Sequence, residues 1–180
     1  MIKIINKEIT TERLRLRHFR KEDIKTYAEM MGDDEIGRWF PKGVGYTPEE
    51  AQKSFDNILS HWNKYGFGLW AITRRKNPCL IGRCGLNYIP ETSEVEIDFV
   101  LARRYWKKGY ATEAAKASLY YGFKFLSLDR IIALVKPENS ASRKVIEKVG
   151  MHYITNAEYW NIICAKYEIL RGEYNNQFSV

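Results

Sequence analysis

Leu14, Leu16 and His18 alternate with Arg13, Arg15 and Arg17. A two-residue period of this kind predicts a strand with one buried face. The period then lengthens. In FRKEDIKTYAEMMGD, Ile24, Tyr27, Ala28 and Met31 lie at helical spacing, and Gly32 stands where the turn ends. YTPEEAQKSFDNILSHWNKYG predicts a second helix with a sharp start. Thr47 caps it, Pro48 takes the first position and Glu50 closes a capping box. Ala51, Phe55, Ile58, Leu59 and Trp62 make its apolar face.

The middle of the chain predicts strands. FGLWAIT (67–73) is followed by the turn-forming run Arg75-Lys76-Asn77-Pro78, then by CLIGRCGLNYI (79–89), bent near Gly82 or Gly85. SEVEIDFVL (93–101) alternates: Val95, Ile97 and Phe99 point one way, and Glu94, Glu96 and Asp98 the other. An acidic face of this kind is expected to meet solvent. Ala111, Ala114, Ala115, Ser118, Leu119, Gly122, Phe123 and Leu126 form a sustained helical stripe. Its small residues allow close approach to a sheet or ligand. RIIALVK (130–136) predicts a buried strand. NSASRKVIEKVG predicts a short helix capped by Asn139 or Ser140 and ended by Gly150. EYWNIICAKYEILR supplies a closing strand or hairpin. The predicted order, β-α-α-β-β-β-α-β-α-β, is a mixed α/β sheet with one strand–loop–helix crossover over 93–127.

Composition narrows the picture. The chain has 180 residues, without a Pro/Gly/Ser-rich linker or an internal repeat, so one domain over 1–180 is expected. Its three cysteines make no disulfide framework, its N-terminus has no sustained apolar core, and its apolar runs are far shorter than a membrane span. A cytoplasmic protein is expected, with no membrane partner. His18, His61 and His152 have no metal-like spacing with each other or the cysteines, so no metal is expected. The net charge of +7 suggests an anionic partner, but no nucleic-acid reader motif is present.

The charge has a focus. ARRYWKKGYATEAA (102–115) places four cations and two aromatic residues just before Gly109 and the start of the stripe helix. The first turn of a helix carries N–H groups without intrahelical partners, and its dipole favours negative charge. Gly109 permits an unusual backbone angle, Ala111 adds no bulk, and Lys107 and Lys108 add full charges. These are the parts of a phosphate-binding loop. Residues 36–46, a Gly-rich connection bearing Trp39 and Phe40, are a candidate wall for a second ligand.

Four stretches resemble the GNAT superfamily of acyl-CoA-dependent N-acetyltransferases, and most nearly its ribosomal-protein N-terminal acetyltransferase branch (the RimJ/RimL-like enzymes). They are TERLRLRHFRKEDI (11–24), LIGRCGL (80–86), VEIDFVLARRYWKKGYATEAAKASLYYGF (95–123) and NSASRKVIEKVGM (139–151). The family loop reads Q/R-x-x-G-x-G/A. Gly109 and Ala111 fit it, Trp106 stands in the Gln/Arg place, and Lys107 stands where the branch often has Gly. The resemblance implies a mixed, mostly antiparallel sheet flanked by helices, with acetyl-CoA as cosubstrate and possible homodimers. It further implies that Phe99, Val100 and Leu101 bind the pantetheine arm. Lys107, Lys108, Gly109, Tyr110, Ala111 and Thr112 would cradle the phosphates, with Asn139 and Ser142 near the cofactor arm and sulfur.

The implied reaction is direct transfer to a primary amine, either a protein N-terminus or a small molecule such as a polyamine, amino sugar or antibiotic. An alkylammonium must first lose a proton, and a carboxylate is a reasonable base. Glu158 matches the branch's proposed base, and Glu96 lies on the strand leading to the cofactor. Ser142 or Tyr167 would protonate the departing thiolate. The +7 charge disfavours a strongly cationic acceptor unless the pocket is locally acidic. Two other readings are a non-catalytic acyl-CoA-binding or sensing module and, on charge alone, a nucleic-acid-binding protein.

Overall fold

In the computed structural model the chain begins with three antiparallel strands: β1 (Lys3–Ile5), β2 (Glu8–Thr10) and β3 (Leu14–Arg17). The structure describes residues 2–5 and 7–178. Then come α1 (Ile24–Met31), the one-turn α2 (Asp34–Gly37) and α3 (Pro48–Tyr65). Three long strands follow, β4 (Leu69–Arg74), β5 (Asn77–Ile89) and β6 (Glu94–Leu101). Helix α4 (Tyr110–Lys124) crosses to β7 (Arg130–Val135), and α5 (Ser140–Lys148) leads to the hairpin β8 (His152–Tyr159) and β9 (Ile162–Leu170). A final helix, α6 (Arg171–Phe178), was not predicted.

The strands form one nine-stranded sheet in the order β1-β2-β3-β4-β5-β6-β7-β9-β8. Every pairing is antiparallel except β6 with β7. The strand predicted at 13–18 is β3. The two strands before it are three residues each, too short to show a period. The α3 capping box forms as predicted, with Thr47 accepting from the Glu50 N–H and Glu50 reaching back to the Thr47 N–H.

Alternation along β5 separates two layers. Cys84 and Leu86 meet α4, through Ser118 and beside Gly122. Arg83 and Asn87 face the other side, toward Tyr27 of α1 and Glu96 of β6. That second side carries the row predicted to face solvent, and the structure corrects the prediction. Glu94 and Glu96 are only 7% and 6% exposed. Tyr159 and Lys166 of the β8–β9 hairpin cover Glu94, Asn87 of β5 meets Glu96, and Asp98 is half-buried, so this face of β6 is not a solvent-facing surface.

A buried ion pair fixes the corner between β3 and α1. Arg17 grips Asp23 with two hydrogen bonds of 2.7 and 2.8 Å, and the Arg20 N–H donates to the same carboxylate. Burial pushes the Asp23 carboxyl up, but these bonds outweigh it and hold it below the usual range. Arg17→Ala is expected to cost about 3 kcal/mol, because it strands a buried carboxylate. The stability that the pair confers is present above the ordinary aspartate pKa and lost as pH falls through the depressed one. Urea melts at neutral and acidic pH should therefore show the deficit shrinking with acidification.

Candidate active site

Strands β6 and β7 are joined at a single registered pair, Glu96 with Ile132. Beyond it they diverge, so the β7-facing backbone of Phe99, Val100 and Leu101 has no strand partner there. The gap opens into a cleft of about 1260 Å³. Typical small-ligand pockets are about 300–1,000 Å³, so this one has room for two molecules.

One end of the cleft brings together groups that suit an anion. Gly109 caps α4 at φ 77° and contributes no side-chain cap, which leaves the first-turn N–H groups free for a ligand. Lys107 holds φ 58°, a conformation suited to glycine. Trp106 has a role that its sequence position did not disclose: its indole N–H donates to the Leu101 carbonyl at 2.7 Å, tying the loop to the end of β6. Lys107, Gly109, Tyr110, Ala111 and Thr112 all line the cleft, as do Asn139 and Ser142 from the facing α5. Asn139 caps α5 by accepting from the Ser142 N–H. Lys144 and Lys148 add charge on that side. Lys108 is the exception: its ammonium lies 5.6 Å over the Tyr105 ring, and it is not among the lining residues.

A clamp holds the loop. Glu113, in the first turn of α4, accepts from the Thr11 hydroxyl, the Arg13 N–H and the Arg13 side chain, at 2.6, 2.9 and 2.6 Å. Arg13 donates onward to the Lys108 carbonyl and lies over the Tyr110 ring. Burial raises the Glu113 carboxyl, but the donated bonds outweigh it and hold it below the usual range.

Glu96 and Asp98 of the β6 acidic row line the cleft, Glu94 lies beyond it, and each carboxylate has a different partner. Glu94 is held by Arg130, Lys166 and the Tyr159 hydroxyl at 2.9, 2.7 and 2.6 Å. Asp98 pairs with Arg83 at 2.9 Å. Glu96 receives only the neutral amide of Asn87, at 3.0 Å. Burial, with the nearby charge of Asp98, pushes the Glu96 carboxyl up to about 8. Sequence reasoning did not find Arg83 or Asn87, whose importance lies in their pairing with β6.

The other candidates are placed apart. Glu158 is exposed on β8 and does not line the cleft. Tyr167 is 1% exposed and packed in the core, where its hydroxyl meets Arg143 at 2.7 Å and Glu147 at 3.2 Å. Ser142 is thus the predicted hydroxyl that the structure brings to the cleft.

Residues 36–46 contribute a further wall, as anticipated. Backbone packs on backbone there: a Cβ on Gly37 would lie 2.0 Å from the Gly45 nitrogen, and one on Gly45 2.4 Å from the Gly32 carbonyl oxygen. Trp39, Phe40 and Tyr46 of this wall line the cleft. His61 of α3 pins the opposite side. It accepts from the Tyr88 N–H at 2.9 Å and lies 2.8 Å from the Phe67 carbonyl, an arrangement of the Nδ1–H tautomer. Burial pushes its pKa down.

The acetyltransferase (GNAT) domain profile matches residues 13–152. The chain belongs to the GNAT acetyltransferase family. It is 39% identical to the uncharacterized N-acetyltransferase YnaD of Bacillus subtilis over 79% of this chain and 81% of that protein. It is 26% identical to the spermidine N(1)-acetyltransferase of Escherichia coli K12, over 83% of each. A GNAT acetyltransferase structure from Bacillus anthracis superposes with a TM-score of 0.78 at 30% identity, covering 92% of this chain and 99% of that one. The protein is therefore an acyltransferase, and the fold expected from the sequence resemblance is the fold observed.

Glu113→Ala is expected to lower unfolding free energy by about 2 kcal/mol at neutral pH, since it removes several charge-assisted bonds at once. Because the folded-state pKa is depressed, the deficit should narrow as pH falls through it. Urea denaturation across that range measures both effects.

Proposed function

We propose that the protein transfers an acetyl group from acetyl-CoA to a primary amine, with Glu96 as the general base. The observation that carries this reading is the β6 row: Glu96 is its one carboxylate without a cationic partner, and it sits where β6 and β7 part. Glu94 and Asp98 are each engaged in ion pairs with neighbouring cations, so Glu96 is the member of the row left to exchange a proton. The ribosomal-protein branch suggested Glu158, but its exposed position on β8 favours Glu96.

Acetyl-CoA fits the groups present. The free N–H groups at the start of α4, with Lys107, Lys144 and Lys148, would hold its phosphates. The open β6 backbone at Phe99 to Leu101 would bond the pantetheine amides, and Asn139 would contact the same arm. When bound, acetyl-CoA supplies a thioester carbonyl that an amine can attack. An incoming ammonium lowers the Glu96 pKa by its own charge and gives Glu96 a proton. The freed amine forms the C–N bond as the C–S bond breaks. Its surplus N–H proton reaches the departing sulfur through Ser142.

Two experiments test this. Acetyl-CoA should raise the melting temperature of the wild type by mass action. It should not do so for Gly109→Glu, which puts a side chain at φ 77° and a negative charge in the anion end. Glu96→Gln should keep the acetyl-CoA shift and lose about 10²–10⁴-fold in kcat, read as thiol release. Wild-type kcat/KM should rise with pH through a limb near 8 that is absent from Glu96→Gln. The stability prediction has a definite sign. A raised carboxyl pKa means the fold loses stability as pH climbs from the ordinary carboxylate range to about 8, so Glu96→Gln should gain on the wild type over that interval. Full activity in Glu96→Gln, with loss in Glu158→Gln, would move the base to Glu158. Acetyl-CoA binding without turnover of any amine would instead favour a sensing module.

A further inference from the structure

The β8–β9 hairpin turns in two residues, because Tyr159 pairs directly with Ile162. Both turn residues have positive φ, Trp160 at 52° and Asn161 at 61°. Such turns favour Asn-Gly or Asp-Gly, and a bulky residue at the first place is a conformational outlier. The indole also gains little from packing, since Trp160 is 48% exposed. Strain of this kind, kept at a cleft, points to a use for the side chain. Trp160 lines the cleft, and the adjacent Tyr159 anchors the turn over the acidic row through Glu94.

The 36–46 wall lines the same cleft and contributes Trp39, Phe40 and Tyr46. Lys136, just beyond β7, donates to the Arg38 carbonyl at 3.0 Å and ties that wall to the strand that β9 flanks. The lining thus offers flat apolar surface from two separate elements. Its charges are lopsided. Glu96 and Asp98 are the only acids among the described lining residues, and Asp98 is paired with Arg83. One carboxylate is left for one ammonium, while Lys64 and Lys136 also line the cleft and would repel a second.

We propose that the acceptor is a small monoamine carried on an aromatic or other flat apolar body, which Trp160 grips against the aromatic wall. This rests on the acetyltransferase reading and narrows it. It also sets the protein apart from what the name of its spermidine-acetylating relative would suggest, because a polyamine brings charges that this lining does not match.

The test is acetyl-CoA-dependent thiol release, with products confirmed by mass, using 2-phenylethylamine, tryptamine, spermidine and a short peptide with a free N-terminus. The aromatic monoamines should exceed spermidine and the peptide in kcat/KM by about tenfold or more, the scale of one well-packed aromatic contact. Trp160→Gly separates recognition from structure. Glycine relieves the positive φ, so the melting temperature should hold or rise, while KM for the aromatic amines rises about tenfold and the acetyl-CoA shift is unchanged. Trp160→Phe should recover part of the lost KM. Preference for spermidine or the peptide overturns the proposal while leaving the acetyltransferase reading intact. An unchanged KM in Trp160→Gly overturns the role of Trp160. Failure of the wild type to bind acetyl-CoA removes the reading beneath both.

Discussion

β6 and β7 pack together in the core but share one registered ladder pair, Glu96 with Ile132, and the site depends on how short that ladder is. Parallel strands in an interior position ordinarily satisfy each other's backbone along their length. Here the pairing stops and the strands part, which leaves polar backbone in a gap that only a ligand or water can fill. The crossover helix α4 begins on the far side of that gap, with its unpartnered N–H groups turned to the same cleft. A hydrogen-bonding edge and a helix end whose chemistry suits an anion are thereby fixed relative to one another by the sheet itself. The bonds that complete this arrangement are long-range: Trp106 to the Leu101 carbonyl, and Glu113 to Thr11 and Arg13 across the chain.

The same strand sorts three carboxylates by what stands opposite each. Cations pair with Glu94 and Asp98, and Tyr159 adds a further bond to Glu94. Glu96 has only an amide, so burial acts on it unopposed by a direct ion pair. Chemical identity along the row is nearly constant, yet the two flanking members serve as structure. The flanking pairs also keep the row buried without leaving its outer members uncompensated, which a fully apolar setting would not allow.

Local chemistry made much of the fold legible. The α3 capping box, the small-residue stripe of α4 and the Asn139 cap are contained within a few residues, and each formed as read. The loop at the start of α4 was legible for the same reason, since glycine, cations and helix start are contiguous. The acidic row was read correctly as a strand and wrongly as solvent-facing. Alternation reports which residues share a face, whereas burial of that face is decided by elements distant in sequence. Lys166 meets Glu94 across 72 positions, and Arg130 across 36. Helix α6 has no amphipathic stripe to announce it, and β1 and β2 are shorter than two periods.

Two departures from backbone preference bracket the cleft. Lys107 and Trp160 both hold positive φ, where glycine would be easier, and each lies at the cleft with a large side chain. A residue that strains the backbone persists when its side chain contributes more than the strain costs. Lys107 adds a cation to the end where the helix dipole already favours an anion. Trp160 adds an apolar plane to a lining that also carries the aromatic rings of the wall. In both places the strained side chain extends the chemistry of its surroundings. That agreement between backbone strain and local chemistry argues for ligand recognition by each side chain, a phosphate by Lys107 and a flat amine by Trp160.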